Sequence, residues 1–219
     1  MSMNDSQIVD DVTSELFWDP KVDSAAIVVT ADNGRVTLAG TVGSVREKRE
    51  AKKAAERVLG VMSVDNDLQV VPEIDLVLTD ADLQDSIQQA LMLDLVVPTT
   101  VGVDVLDGVV TLTGTAEWQY QRDEAELVAS NIVGAIDVFD DIVLVGPTPD
   151  AYDVKQSIKD AFKRNAALDA DGLSVVTSNG TVTIGGDVSS WAEHDEAIYA
   201  AWSAPGVTSV QDGITVDYA

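Results

Sequence analysis

Ile8, Val12 and Leu16 stand four residues apart, so a helix starting near residue 6 carries all three on one stripe. Leu83, Ile87 and Leu91 repeat the stripe, and Val154, Ile158 and Phe162 repeat it again. Each stripe runs into an interruption, at Pro20, at Pro98 and at the Leu168-Asp169-Ala170-Asp171-Gly172 stretch. The apolar period then changes to two. Ile27, Val29 and Ala31 lead into Asn33-Gly34 and are followed by Val36 and Leu38. Val101, Val103 and Val105 lead in the same way into Asp107-Gly108, Val110 and Leu112, and Leu173, Val175 and Thr177 into Asn179-Gly180, Val182 and Ile184. Asn-Gly and Asp-Gly supply the two left-handed positions of a type I′ turn, so each block predicts a β-hairpin. Six residues after each turn glycine stands another, Gly40, Gly114 or Gly186, where the strand bends or a second backbone approaches closely.

A second helix follows each hairpin, and here the three blocks align without a gap. Ala51, Ala54, Ala55 and Val58 match Ala125, Val128, Ala129 and Ile132, then Ala197, Ala200, Ala201 and Ala204. Small side chains on this face let the helix lie close to a sheet. Gly60, Gly134 and Gly206 stand where a left-handed residue caps a helix. A third strand closes each block through Leu68 and Val70, Ile142 and Leu144, Ile214 and Val216. The turn glycines recur at steps of 74 and 72 residues, the mark of an internal repeat. The expected fold is α/β of the α+β kind: three tandem αββαβ domains, each a small mixed three-stranded sheet packed with two helices. Domain boundaries are expected at 5–72, 79–146 and 150–218, with linkers near 72–75 and 146–150. A right-handed crossover through the second helix makes the two strands that it joins, the second and third, parallel.

The element order and the pattern Gly-x-Val-Thr-Leu-x-Gly at 34–40, matched at 108–114 and 180–186, are joined by Gly60-Val61, Gly134-Ala135 and Gly206-Val207. A valine follows three residues later in each, at Val64, Val138 and Val210. Together these resemble the BON domain, named for bacterial osmotically induced and nodulation proteins, in three copies covering nearly the whole chain. The resemblance implies an α/β domain without catalytic residues, common in envelope and stress-response proteins, for which phospholipid binding has been proposed.

Composition narrows the chemistry. A block of about 70 residues holds only a modest core, so contacts between blocks matter for stability. With no cysteine there is neither disulfide nor thiol chemistry. The first residues show no basic and apolar leader pattern, and no apolar run reaches the roughly 18 residues of a membrane span, so a soluble, cytoplasmic protein is expected. Thirteen Lys and Arg against 38 Asp and Glu leave a net charge of −25. That field repels nucleic acid, and no nucleic-acid partner is expected. Its two readings are a highly soluble surface and adaptation to high salt.

Nucleophilic catalysis lacks its parts. His194 is the single histidine, set among Glu193, Asp195 and Glu196, and is expected to be an ordinary solvated side chain. Asp169-Ala170-Asp171-Gly172 resembles the start of a calcium loop, but Ala167 and Ser178 stand where oxygen donors are required at its ends. Asp65-Asn66-Asp67 and Asp140-Asp141 read as turns before the last strand. No phosphate-loop or dinucleotide glycine pattern is present. No enzyme activity, cofactor or metal is expected.

Two basic features interrupt the acidic background. The second helix of the first block carries six of the 13 basic residues, and Arg46, Arg49, Lys53 and Arg57 point away from its alanine face. They are either a solvated face laced by Glu47, Glu50 and Glu56 or a docking patch for an acidic partner. The same helix of the second block is acidic, so the partner can lie within the chain or in another copy. Lys155, Lys159 and Lys163 form a shorter stripe on the first helix of the third block. Trp18, Trp118 and Trp191 stand near helix ends, as covers for the core edge or as exposed anchors. The function expected is a non-enzymatic binding or scaffold protein, linked through the resemblance to osmotic or envelope stress, that docks on protein partners or on itself. The alternative is a peripheral phospholipid binder using a basic helix face.

Overall fold

In a computed structural model of the chain, residues 4–72, 78–146, 151–165 and 172–218 are described. Most of the expected linkers at 72–75 and 146–150 and most of the 168–172 stretch, including Asp169 and Asp171, lie outside them.

The first domain begins with α1 (Asp5–Trp18), capped by the Asn4 side chain, which accepts the Ser6 N–H. Ile8, Val12 and Leu16 are its buried stripe. β1 (Ile27–Asp32) runs antiparallel to β2 (Arg35–Val42), with Ile27 opposite Gly40 and Asp32 opposite Arg35. After α2 (Val45–Glu56), β3 (Ser63–Val70) lies parallel to β2 from Arg35–Ser63 to Val42–Val70, giving the order β1-β2-β3. The helices pack on one face of this sheet, around Val36, Leu38, Ala51, Ala54, Ala55, Val61 and Leu68. Ala51, Ala54 and Ala55 are wholly buried, which only small side chains permit where a helix lies against strands.

The third domain repeats this plan with α5 (Ala151–Arg164), β9 (Leu173–Ser178), β10 (Thr181–Val188), α6 (Trp191–Trp202) and β11 (Ser209–Val216). β10 is central, antiparallel to β9 and parallel to β11. Its core gathers Val154, Ile158, Phe162, Val182, Ile184, Ala197 and Ala201.

The middle repeat departs from the single three-stranded sheet expected of it. Between α3 (Asp80–Leu93) and α4 (Gln119–Ser130) lie β4 (Gly102–Leu106), β5 (Val109–Thr113) and the two-residue β6 (Thr115–Ala116). β7 (Asp137–Asp140) and β8 (Val143–Leu144) follow. β4-β5-β7 form one sheet and β6-β8 a separate parallel pair. The break in the central strand falls at Gly114, between β5 and β6. By packing, the chain forms two compact units, residues up to 114 with 122–142 and residues 115–121 with those from 143 onward, so the middle repeat contributes to both.

The repeated glycines have two distinct jobs. At the hairpins Asn33, Asp107 and Asn179 have φ of 52°, 51° and 48° and the following glycines 78°, 75° and 78°, as a type I′ turn requires. At Gly40, Gly114 and Gly186 a Cβ would come 2.0, 2.2 and 2.1 Å from the carbonyl oxygens of Ala26, Thr100 and Gly172. Close backbone approach is therefore what these positions provide. The turn glycine also closes each domain: the N–H groups of Met62, Ile136 and Thr208 donate to the carbonyls of Gly34, Gly108 and Gly180 at 2.8, 3.0 and 2.8 Å.

Candidate docking surface

The basic helix α2 starts at Ser44, whose hydroxyl accepts the Glu47 N–H, while the Glu47 carboxylate reaches back to accept the N–H groups of Gly43 and Asp23. That anchoring sets the rotation of the helix. The alanines face the sheet and the cations face outward.

They do not all face the same neighbour. Arg46 Nη1 donates to Asn131 Oδ1 at 2.9 Å, and Arg49 Nη1 lies 3.1 Å from Glu126 Oε1. Both partners belong to the second domain, Glu126 on α4 and Asn131 just after it, within the same compact unit. The alternating charge of the second helices is thus a seam between the first two domains. Glu126 is largely withdrawn from water, and this burial raises its pKa above the ordinary value although Arg49 works to lower it. Below the seam a cleft of about 800 Å³ is lined by Asp23, Thr41, Arg46, Pro72, Asn131 and Gly134, among others.

Arg57 turns elsewhere. It stands just past α2, beside the end of α1, and pairs with Glu15 at 3.0 Å and Asp19 at 2.8 Å. Burial works to lower the Arg57 pKa, but the bonds to Asp19 and Glu15 outweigh it and raise it. The hydrogen bond from Arg57, helped by the Lys21 N–H, holds the Asp19 carboxyl below its usual range. Lys53 is exposed. On α5, Lys159 and Lys163 are exposed and Lys155 is half-buried, with Lys163 3.9 Å from Asp160.

The tryptophans divide. Trp18 is 81% exposed, next to Phe17 at 80%, whereas Trp118 and Trp191 are half-buried and are not exposed anchors. Trp118 stands just before α4 and Trp191 opens α6, where its ring meets that of His194 edge-on at 4.7 Å. His194 itself is no solvated side chain: only 12% of it is exposed, and two aspartates hold its ring nitrogens. The signal for this in the sequence is the acid eighteen residues on, as Asp140 is from Arg122. The sequence also did not mark Asn131 as Arg46's partner, because that contact joins residues 85 apart. Among the described residues no group of three or more His, Cys, Asp or Glu side chains could hold a metal ion. No helix among them is long and apolar enough to cross a membrane.

Three αββαβ repeats, each with a left-handed glycine turn and a backbone-contact glycine, define a class of small non-covalently stapled α+β domain. The BON domain model matches residues 4–72, 79–146 and 150–218, and the chain belongs to the BON domain family. It is 35% identical over 145 residues to the osmotically-inducible protein Y of Escherichia coli (strain K12), an alignment covering 64% of this chain and 72% of that protein. Two solved structures of CdsD, a structural protein of the type III secretion system of Chlamydia trachomatis, align at 12% identity. The first covers 95% of this chain and 91% of its own at a TM-score of 0.26, and the second, the C-terminal domain, 98% and 100% at 0.27. Scores that low carry no structural inference.

Proposed function

We propose that the chain is a non-enzymatic docking protein of the osmotic or envelope stress response, working through the charged outer faces of its helices. Family membership and the osmotically inducible relative support the stress link. The observation that carries the docking reading is the Arg49–Glu126 and Arg46–Asn131 seam, in which one domain already uses a basic helix to hold an acidic one. A second copy of the chain or an acidic protein surface would engage Lys53 and its neighbours by the same chemistry. Light scattering at low and high salt tests self-association, and capture of partners by the full chain, repeated with Lys53→Glu, tests the face. Salt-insensitive mass together with capture indifferent to Lys53→Glu would refute the reading.

One observation favours a second reading. Phe17 and Trp18 project from the end of α1 into solvent, as aromatic side chains do when they insert at a lipid interface. Flotation with anionic vesicles, lost on Trp18→Ala, would support peripheral phospholipid binding instead.

A further inference from the structure

In all three domains one residue of the last strand is tied back to the second helix, at the same register each time. Asn66 stands opposite Leu38, Asp140 opposite Leu112 and Asp212 opposite Ile184. Each also accepts a backbone N–H two residues on, from Leu68, Ile142 and Ile214 at 3.4, 2.9 and 3.0 Å. The tie to the helix differs in chemistry. Asn66 Nδ2 donates to the Lys48 carbonyl at 2.7 Å, an uncharged bond. Arg122 Nε donates to Asp140 Oδ2 at 2.8 Å, a bond between permanent charges near neutral pH. In the third domain the helix side is His194, with Nε2 2.7 Å from Asp212 Oδ2 and Nδ1 3.2 Å from Asp195 Oδ1.

The geometry of that last tie sets a proton requirement. An ionised carboxylate only accepts, and a neutral imidazole has one N–H to give. With a carboxylate at each ring nitrogen, both contacts are bonds only when the ring carries two protons. We propose that His194 is a proton-operated clamp of the third domain: doubly protonated, it holds Asp195 within α6 by one ring nitrogen and ties α6 to Asp212 of β11 by the other, and on losing one proton it gives up its charge and one of the two bonds, which weakens the α6–β11 tie.

Asp195 from α6 and Asp212 from β11 are the charged groups acting on the ring. Burial works to lower its pKa, but the hydrogen bonds and charges of these two aspartates outweigh burial and raise it above the ordinary 6.5. A histidine with a raised folded value contributes stability that is complete below 6.5 and is lost as pH rises through the folded value. A mildly alkaline shift therefore loosens the third domain and leaves the Arg122–Asp140 tie of the second unchanged.

Because His194 is the only histidine, the full chain gives a single imidazole signal in NMR. Its titration in the folded chain is expected to lie above that of the same chain in denaturant. Across about pH 5.5 to 8.5, exchange of the Ile214 amide is expected to accelerate and the melting midpoint of the third domain to fall. His194→Arg, which copies the second domain's tie, is expected to flatten both profiles. An imidazole titrating at or below its denatured value would overturn the proposal, whether or not the variant folds. So would profiles of His194→Arg that parallel those of the parent.

Discussion

The carboxylate of Asp5 accepts the backbone N–H of Gly34 at 3.0 Å, and that of Asn33 at the same distance, tying the first turn of α1 to the tip of the β1–β2 hairpin. Asp80 does the same for Gly108 and Asp107 at 2.9 and 2.8 Å. Successive N–H groups at a left-handed turn make a small concavity suited to an anion.

These N–H bonds hold the Asp5 pKa below its ordinary 3.8. With the folded value depressed, the contribution to stability is complete above 3.8 and disappears as pH falls through the folded value. Asp5→Ala is therefore expected to melt below the parent at neutral pH, with the gap narrowing in strong acid. A pH series of thermal melts checks this, and a gap constant down to the acid limit would contradict it.

Arg49 and Glu126 are each about one-third exposed, so their pairing contributes about 1 kcal/mol or less. The two truncations are not equivalent. Arg49→Ala leaves a half-buried carboxylate without its nearest cation and is expected to destabilise the first two domains, whereas Glu126→Gln removes a charge that burial already opposes and is expected to be close to neutral. A raised folded carboxyl value means that stability falls as pH rises from 4.5 through that value, and Glu126→Gln should remove this part of the slope. Urea unfolding between about pH 4 and 7 measures both effects.

Gly40→Ala is expected to be among the most damaging single changes. Its Cβ would sit 2.0 Å from the Ala26 carbonyl oxygen, at a φ of 119° that side chains avoid, so β1 and β2 could not keep their spacing. A loss of about 4 kcal/mol or failure of the first domain to fold is expected, from clash and strain together. Denaturant unfolding of the variant checks it, and a loss under about 1 kcal/mol would show that the strand ends move apart freely.

A net charge of −25 makes salt a stabiliser. Screening shortens from about 10 Å at 0.1 M to about 3 Å at 1 M, which removes most repulsion between surface acids. The melting midpoint is expected to climb over that range, with the surface pairs such as Arg35–Asp65 losing little because they contribute little at the outset. A flat or falling midpoint in scanning calorimetry would mean that the acids are already locally compensated.

The buried stripes of α1, α3 and α5, the three hairpins and the glycine pairs were legible because each depends on residues near one another in the chain. The split sheet of the middle domain was not, because Gly114 has the same identity and the same conformation as Gly40 and Gly186, whose strands continue unbroken. The division of labour within α2 was hidden for a different reason. A helical wheel puts Arg46, Arg49, Lys53 and Arg57 outside the core, but not which of them meets α1, which meets α4 and which meets water.

Local periodicity and left-handed turn residues by themselves determined three like domains, their helix and strand order, and the positions where only glycine is tolerated. Hydrogen-bond and steric rules act over a few residues, and a repeat lets them be read three times. Tertiary structure alone decided the pairings: Arg49 with Glu126, Arg57 with Glu15 and Asp19, His194 between two aspartates. Charge has range but no address. With 38 acids available to 13 cations, only the packing of helices on sheets, which fixes where each side chain emerges, selects the carboxylate a given cation meets.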